Sequence, residues 1–228
     1  MRLRRPAAGR GRTALSACLA AGVLAVALAG CGTGAKPYPP TGVDELVIPT
    51  PSPRAQDFVD RIDNAWLPLR PGRTWVYDVT RTGHPNAVRT VSVLRAPVMV
   101  DGVSTTAVRT VVTRPGESAA SRTDFYAQDT RGNVWWFGQD GLWRAGQGGA
   151  EAGLVITATP RLGDGYRAGY RKGVVEDVVT VVQAKPVVAL EWTSALSPNA
   201  SVWDTYRRGV GLIDRLDNGT GEHDTLRQ

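Results

Sequence analysis

The chain has 228 residues, 42% of them hydrophobic, and its formal net charge of +6 comes almost entirely from the N-terminus. Five arginines lie within the first 12 residues, and the rest of the chain carries 22 basic and 21 acidic residues. This balance argues against a nucleic-acid partner, which a basic surface would attract. Only Cys31 remains beyond the apolar N-terminal segment, so the sequence predicts no disulfide, no metal site built on cysteines and no cofactor.

Residues 1–30 are predicted to be a bacterial lipoprotein signal peptide. An arginine-rich start without acidic residues precedes an uncharged apolar run from Thr13 to Ala29. The run ends in Leu28-Ala29-Gly30-Cys31, the kind of site at which a peptidase cuts before a cysteine that carries diacylglycerol and palmitate. Two or more acyl chains on Cys31 would hold the protein stably at a membrane. A plain secretory signal with a chance cysteine, or an uncleaved helix, is the alternative.

Residues 31–53 are predicted to be a tether that begins at the lipidated Cys31. Six prolines between positions 37 and 53 oppose packing and favour extended polyproline structure. We therefore expect a folded domain held at the cell membrane on its extracytoplasmic face. In a host with two membranes, the outer membrane is an alternative location.

One short helix is predicted after the tether. Ser52-Pro53 suits the start of a helix, because serine caps the first turn and proline fits its first position. Phe58, Val59 and Ile62 would share one face, and Asn64 would end the helix.

From residue 73 the hydrophobic period changes to two, the period of a β-strand. Trp75, Tyr77 and Val79 share one face of the first strand. Between turn signals, further strands are expected at 88–95, 103–113, 122–128, 134–137, 142–144, 166–170, 174–184, 187–196, 201–207 and 211–216, with a loop at 146–153. The predicted fold is mainly β: a single antiparallel domain over residues 54–217, as a sandwich or partly open barrel with one short N-terminal helix. A frayed polar tail is expected at 218–228.

The strongest candidates for ligand binding are aromatic residues on two neighbouring strands: Phe125, Tyr126, Trp135, Trp136 and Phe137. Alternation places Trp135 and Phe137 on one face of their strand and Trp136 on the other. Large aromatics therefore point both ways. One set fills a core, and the other is either covered by another element or exposed as a binding surface.

No catalytic constellation is evident in the sequence. The two histidines lie in a turn, His84, and in the polar tail, His223, where neither is expected beside a nucleophile. Glu176 and Asp177 are adjacent on a strand and would point to opposite faces, unlike the converging carboxylates of a glycosidase. The segment from Asp129 to Asn133 is interpreted as a hairpin turn, with too few ligands for calcium. An enzymatic role is left open but is not favoured.

Two stretches resemble a family of uncharacterised bacterial envelope lipoproteins. The first, residues 62–77, contains an asparagine, a tryptophan, Pro-Leu and Pro-Gly before Trp75 and Tyr77. The second runs from Asp124 to Gly138 and contains Phe-Tyr-Ala-Gln-Asp and Gly-Asn-Val-Trp-Trp-Phe-Gly. A weaker match is Arg208-Gly209-Val210-Gly211-Leu212. The resemblance covers most of residues 58–216 and implies an envelope lipoprotein, but it brings no activity and no catalytic residue.

Three functions remain open from the sequence. The leading hypothesis is a membrane-anchored, non-catalytic binding or structural module of the cell envelope, with a lipid, glycan or protein as its ligand. The first alternative is a carrier or sensor of an apolar ligand held in a barrel-like cavity. The second is a hydrolase of envelope polymers. A deep apolar cavity would favour the carrier, whereas a filled core would favour the structural module.

Overall fold

A computed structural model describes residues 54–227 of the chain. The predicted signal peptide, the predicted lipidation site Cys31 and the tether that ends at residue 53 lie outside the described residues. The strands are β1 Phe58–Val59, β2 Thr74–Thr80, β3 Ala87–Val93, β4 Val98–Val100, β5 Val103–Thr113, β6 Ala120–Asp129, β7 Val134–Gln139, β8 Trp143–Arg144, β9 Glu151–Ile156, β10 Gly165–Arg171, β11 Val175–Gln183, β12 Val188–Ser194, β13 Ser201–Arg207, β14 Gly211–Asp217 and β15 Glu222–Leu226.

Twelve of these strands form a closed antiparallel barrel. Their order around the barrel is β6-β5-β3-β2-β15-β14-β13-β12-β11-β10-β9-β7, and β7 pairs with β6 to complete the circle. The prediction of a mainly β, antiparallel fold is confirmed. The partly open barrel is instead closed, because β15 bridges β14 and β2 on one side and β9 bridges β10 and β7 on the other.

The three remaining strands add to the barrel near β6 and β7. Strand β1 pairs with the end of β6, β4 pairs with the start of β5, and β8 pairs with the end of β7. They cover a second hydrophobic cluster, which we call the outer core: Val100, Val103, Ala107, Phe125, Ala127, Trp135, Phe137 and Ala145. The outer core lies on the face of β6 and β7 that points away from the barrel interior.

The predicted helix is wrong beyond a single 3-10 turn at Ala55–Asp57. Phe58 is instead in an extended strand, and its ring packs edge-on against Trp135 and Phe137 with centroid separations of 6.2 and 5.0 Å. This packing outweighs a weak local helix propensity. Within residues 54–227, no helix is long and apolar enough to cross a membrane.

Residues 60–72, which we call the plug, close one end of the barrel. Ile62, Trp66 and Leu69 are buried in the main core together with inward-facing residues of the strands. Asn64 holds the plug in place rather than ending a helix. Its Oδ1 accepts hydrogen bonds from the backbone of Trp66 and Leu67, and its Nδ2 donates to the carbonyls of residues 132 and 157.

The expected frayed tail is wrong, because strand β15 lies within it. His223 pairs with Thr80 of β2 and with Leu216 of β14. The alternation of β15 was hidden because its inward positions, Glu222 and Asp224, are charged. The barrel interior at this strand is polar, so a hydrophobic period of two does not arise.

Strand β9 was also missed, since its first three residues were assigned to a loop. Gly153 accounts for this. A Cβ atom at this position would lie 2.2 Å from the backbone carbon of Ala168 on β10. The close approach of the two strands demands glycine, which as a sequence signal indicates a loop.

Candidate functional site

A cavity of about 700 Å³ occupies the barrel interior between the plug and the opposite end, which we call the open end. A barrel of about eight strands is filled by its own side chains, whereas wider barrels enclose space. Twelve strands therefore leave a cavity that the plug fills only from one side.

The floor of the cavity is apolar and aromatic. Leu67 and Leu69 of the plug form it together with Trp75, Tyr206 and Leu212, which lie where β2 and β14 begin and β13 ends. The indole nitrogen of Trp75 is satisfied, because its Nε1 donates a hydrogen bond to the carbonyl of residue 210 at 2.8 Å. Trp75 and Tyr206 thus present mainly aromatic surface to the cavity.

The mouth of the cavity, at the open end, is polar. Hydroxyl side chains come from the end of β12, the loop after it and the turn between β14 and β15. These are Ser194, Ser197, Ser201 and Thr220. The antiparallel order brings these segments to the same end of the barrel, opposite the plug.

Charged side chains line the cavity between floor and mouth. The lining carboxylates are Asp124, Asp177, Asp217, Glu222 and Asp224, and the lining arginines are Arg89, Arg122 and Arg215. We call these eight residues the charged belt. Most residues of the charged belt point into the barrel, where a barrel filled by its own side chains would carry apolar residues.

One ion pair joins Arg215 of the charged belt to Asp204 of β13, which is fully buried behind the lining. Arg215 Nε donates to Asp204 Oδ1 at 2.6 Å, and Nη2 donates to Oδ2 at 2.7 Å. The hydroxyl of Tyr206 also donates to Oδ2, at 3.2 Å. This two-pronged geometry is the strongest that an arginine and a carboxylate can adopt.

A second ion-pair network joins β3 to β15. Arg89 contacts Asp224 Oδ2 at 2.6 Å through Nη1 and Glu222 Oε1 at 2.5 Å through Nη2. Arg114 contacts the other oxygen of Glu222 at 3.0 Å. Asp124 of β6 lies 3.1 Å from Nε of Arg122, which reaches the mouth and is about half exposed.

Burial raises the pKa of the Asp224 carboxyl to about 6, although Arg89 and Arg215 oppose this effect. Glu222 and Asp204 also face Asp224, and both raise its pKa further. Burial likewise raises the pKa of Asp124 and of Asp177. The belt thus holds more negative charge than its surroundings stabilise.

The raised pKa of Asp224 predicts how the stability of the protein depends on pH. The folded-state pKa of Asp224 lies above its ordinary value, so the folded state binds more protons in the interval between them. The free energy of unfolding of the wild type, relative to Asp224→Asn, should therefore fall as the pH rises from about 4 to about 6 and then level off. Urea unfolding at a series of pH values measures this difference.

A matched control is Asp78→Asn on the outside of β2. The hydrogen bond from Arg227 lowers the pKa of Asp78, so the corresponding difference should rise with pH. A flat or rising difference for Asp224→Asn would contradict the assigned direction.

Six polar atoms on cavity-lining residues have no hydrogen-bond partner within residues 54–227: Nε of Arg89, Oδ1 of Asp124, Nε1 of Trp136 and of Trp192, and both carboxylate oxygens of Asp224. Of these, only Oδ2 of Asp224 lies in an ion pair, with Arg89. An unpartnered buried polar atom costs free energy unless a bound molecule or water satisfies it. These atoms mark positions at which a ligand gains hydrogen bonds.

The aromatic residues singled out in the sequence divide between two places. Tyr126 and Trp136 face the interior and line the cavity. Phe125, Trp135 and Phe137 belong to the outer core, where they are 2–4% exposed. They do not line the cavity, because alternation turns them to the opposite face and β1, β4 and β8 cover them.

The charged belt was not identified from the sequence, although a signal for it exists. Charged residues recur at a spacing of two within single strands, as in Arg122 and Asp124 of β6 and Glu222 and Asp224 of β15. Such a pattern is typical of an exposed strand face. Only the closure of the barrel turns that face inward.

His223 and Asp214 form a pair on the outside of the barrel, with their side chains 2.7 Å apart and about 40% exposed. In the part of the chain that the structure describes, no group of histidine, cysteine and acidic residues is arranged to hold a metal ion. The segment from Asp129 to Asn133 is a hairpin turn, as predicted. Oδ1 of Asp129 accepts hydrogen bonds from the backbone of Arg131 and Asn133.

Comparison of the chain with protein-family models, with curated proteins and with solved structures found no match. The functional argument therefore depends on the cavity and on the residues that line it.

Proposed function

We propose that this protein is a lipid-anchored envelope protein that binds a small amphipathic molecule inside its barrel. The single observation that carries the proposal is the cavity of about 700 Å³, closed by the plug at one end and lined from floor to mouth by a gradient of polarity. A barrel that served only as a structural module would gain stability by filling this space.

The size of the cavity supports a small-molecule ligand. Ligand sites commonly enclose about 300–1,000 Å³ and are lined by apolar and aromatic groups with a few oriented polar ones. This cavity combines Trp75, Trp136 and Trp192 with a limited set of charged groups.

The gradient of polarity sets the orientation of the ligand. Apolar groups gain free energy when they leave water, so the tail of an amphipathic molecule would lie against the plug, near Leu69 and Trp75. Its head would then lie at the charged belt, which reaches the serines of the mouth where Asp177 pairs in register with Ser194. Of the hypotheses that the sequence left open, the carrier or sensor of an apolar ligand thus has the best support, with a polar head added.

The predicted anchor fits the same proposal. A lipidated Cys31 and a tether of about 20 residues would keep the barrel close to a membrane, where amphipathic molecules concentrate.

The test is native mass spectrometry of the mature chain from Gly32 onward, purified without detergent. We expect added mass on the protein that disappears after extraction with organic solvent. A bare polypeptide mass that also stays unchanged after incubation with a total envelope lipid extract would contradict the proposal.

A larger side chain in the cavity wall should abolish this binding. Val91 of β3 lines the cavity, so the phenyl ring of Val91→Phe would occupy space that the ligand needs. We expect the affinity for the ligand to fall at least tenfold, equivalent to about 1.4 kcal/mol. Val178→Phe is the matched control, because Val178 is an exposed residue on the outside of β11. Equal ligand occupancy in the two variants would place the ligand outside the cavity.

A further inference from the structure

We propose that the head of the bound ligand is a cation, specifically an ammonium group, held by the carboxylates of the charged belt. This inference rests on the proposed function and adds the chemical class of the ligand. It follows from the charge inventory of the cavity, from unpartnered carboxylate oxygens and from the aromatic walls beside them.

The charged belt has an excess of negative charge. Five carboxylates line the cavity against three arginines. Two charged residues lie just behind the lining: the carboxylate Asp204, which binds Arg215, and the arginine Arg114, which binds Glu222. Their opposite charges cancel, so the excess of two carboxylates remains.

The arginines of the belt are already engaged by the protein itself. Arg215 binds Asp204 through two nitrogens, Arg89 lies between Glu222 and Asp224, and Nε of Arg122 contacts Asp124. An anionic head would have to compete with carboxylates that are already in place. A cationic head can bind the carboxylate oxygens that no arginine contacts, which include those of Asp177 and Oδ1 of Asp224.

Two carboxylates of the charged belt, Asp177 and Asp217, form no ion pair within residues 54–227. Oδ1 of Asp217 accepts hydrogen bonds from the backbone of residues 219 and 220. Asp177 lies at the start of β11 on the cavity wall and is the one we assign to the ligand. Burial raises the pKa of the Asp177 carboxyl, although a hydrogen bond from the Ser194 side chain opposes this effect.

Asp224 supplies a second, independent observation. Its side chain is 1% exposed, it lines the cavity, and its Oδ1 has no hydrogen-bond partner among the described residues. A buried carboxylate oxygen of this kind is costly unless a donor reaches it. An ammonium group carries donors and positive charge together.

Aromatic faces complete the site. Trp192 of β12 pairs with Val179 of β11, two residues along from Asp177, which places the indole and the carboxylate on the same part of the wall. Cations bind to the faces of tryptophan and tyrosine rings, and desolvated sites favour this contact most. Tyr126 of β6 and Trp136 of β7 provide further rings on the cavity wall.

The test compares three ligands that share one tail and differ in the head: octylammonium, octanol and octanoate. The mature lipidated protein in lipid nanodiscs is titrated with each by calorimetry, with empty nanodiscs as the blank. We expect octylammonium to bind at least about tenfold more tightly than the other two, as a desolvated ion pair with cation–π contact implies.

Two variants of the charged belt test whether its carboxylates cause the preference for octylammonium. Asp177→Asn and Asp224→Asn should each weaken octylammonium binding by about tenfold and leave octanol binding unchanged. Asp78→Asn is the matched control, because it removes the same charge from the exposed outer face of β2 and should leave all three affinities unchanged.

The outcomes separate the two proposals. Equal or tighter binding of octanol or octanoate would overturn the cationic head and leave the amphipathic ligand in place. Octylammonium binding that neither Asp177→Asn nor Asp224→Asn weakens would overturn it as well. Failure of all three ligands to bind would overturn the proposed function, and the cationic head with it.

Discussion

Replacing Asp204 with alanine should destabilise the barrel by about 3–5 kcal/mol, because the change removes the two-pronged partner of the largely buried Arg215 guanidinium and leaves the Tyr206 hydroxyl without its acceptor. Asp204 is fully buried and accepts two hydrogen bonds from Arg215 and one from the hydroxyl of Tyr206. Chemical unfolding monitored by tryptophan fluorescence measures the loss.

The matched control is the double variant Asp204→Leu with Arg215→Met, which removes both charges and replaces them with apolar side chains. Apolar replacement of a complete buried ion pair is often close to neutral. We therefore expect the double variant to be clearly more stable than Asp204→Ala. A loss below about 1 kcal/mol for Asp204→Ala would show that water reaches Arg215 in the folded protein.

Trp75→Ala should destabilise the protein by about 3–5 kcal/mol, as truncation of large buried aromatic residues does. Trp75 is 7% exposed, and its Nε1 donates to the carbonyl of residue 210, which ties the start of β2 to the turn before β14. The guanidinium of Arg73 lies 4.7 Å from the centre of the indole ring. Thermal and urea unfolding of the variant give the loss.

Trp203→Ala is the control for Trp75→Ala. Trp203 lies on the outside of β13, is 44% exposed and makes one hydrogen bond, to Glu191. Its removal should cost less than about 1 kcal/mol, because surface substitutions away from buried features have small effects. An unchanged melting temperature for Trp75→Ala would contradict the assigned role of this residue in the floor of the cavity.

Both predictions concern residues that contribute to stability and also lie at or beside the proposed binding site. The belt keeps ionised groups out of bulk water, which lowers stability relative to an apolar filling. The floor leaves part of the surface of Trp75 and Tyr206 facing the cavity instead of packed side chains. A protein without an interior ligand would be more stable if apolar side chains filled the cavity. We therefore base the proposed function on the cavity and not on the outer face of the barrel.

Strands with apolar inward faces could be predicted from the sequence. In β2, Trp75, Tyr77 and Val79 alternate with polar residues and lie inside the barrel, as expected. In β12, Val188 and Leu190 are buried inside the barrel, whereas Leu196, within the predicted strand range 187–196, lies beyond the strand and is exposed. Alternation is a reliable signal where one face meets a hydrophobic core and the other meets water.

Prediction failed where the inward face is not apolar or where distant residues determine the conformation. Strand β15 carries Glu222 and Asp224 inward and was taken for a tail. Phe58 adopts an extended conformation because it packs on Trp135 and Phe137, which lie more than 70 positions away. Neither effect is visible in a local window of sequence.

The sequence by itself determined the antiparallel β character of the domain, most of its strands and the division of the aromatic residues between two faces, because these depend on local alternation and turn chemistry. Only the tertiary structure decided that twelve strands close into a barrel, that the plug fills one end, and that Asp177 and Asp224 line one cavity. Closure depends on the pairing of β6 with β7 and of β15 with β2, the latter joining residues more than 140 positions apart. Such pairings gain their free energy from the assembled barrel as a whole, so no single segment encodes them.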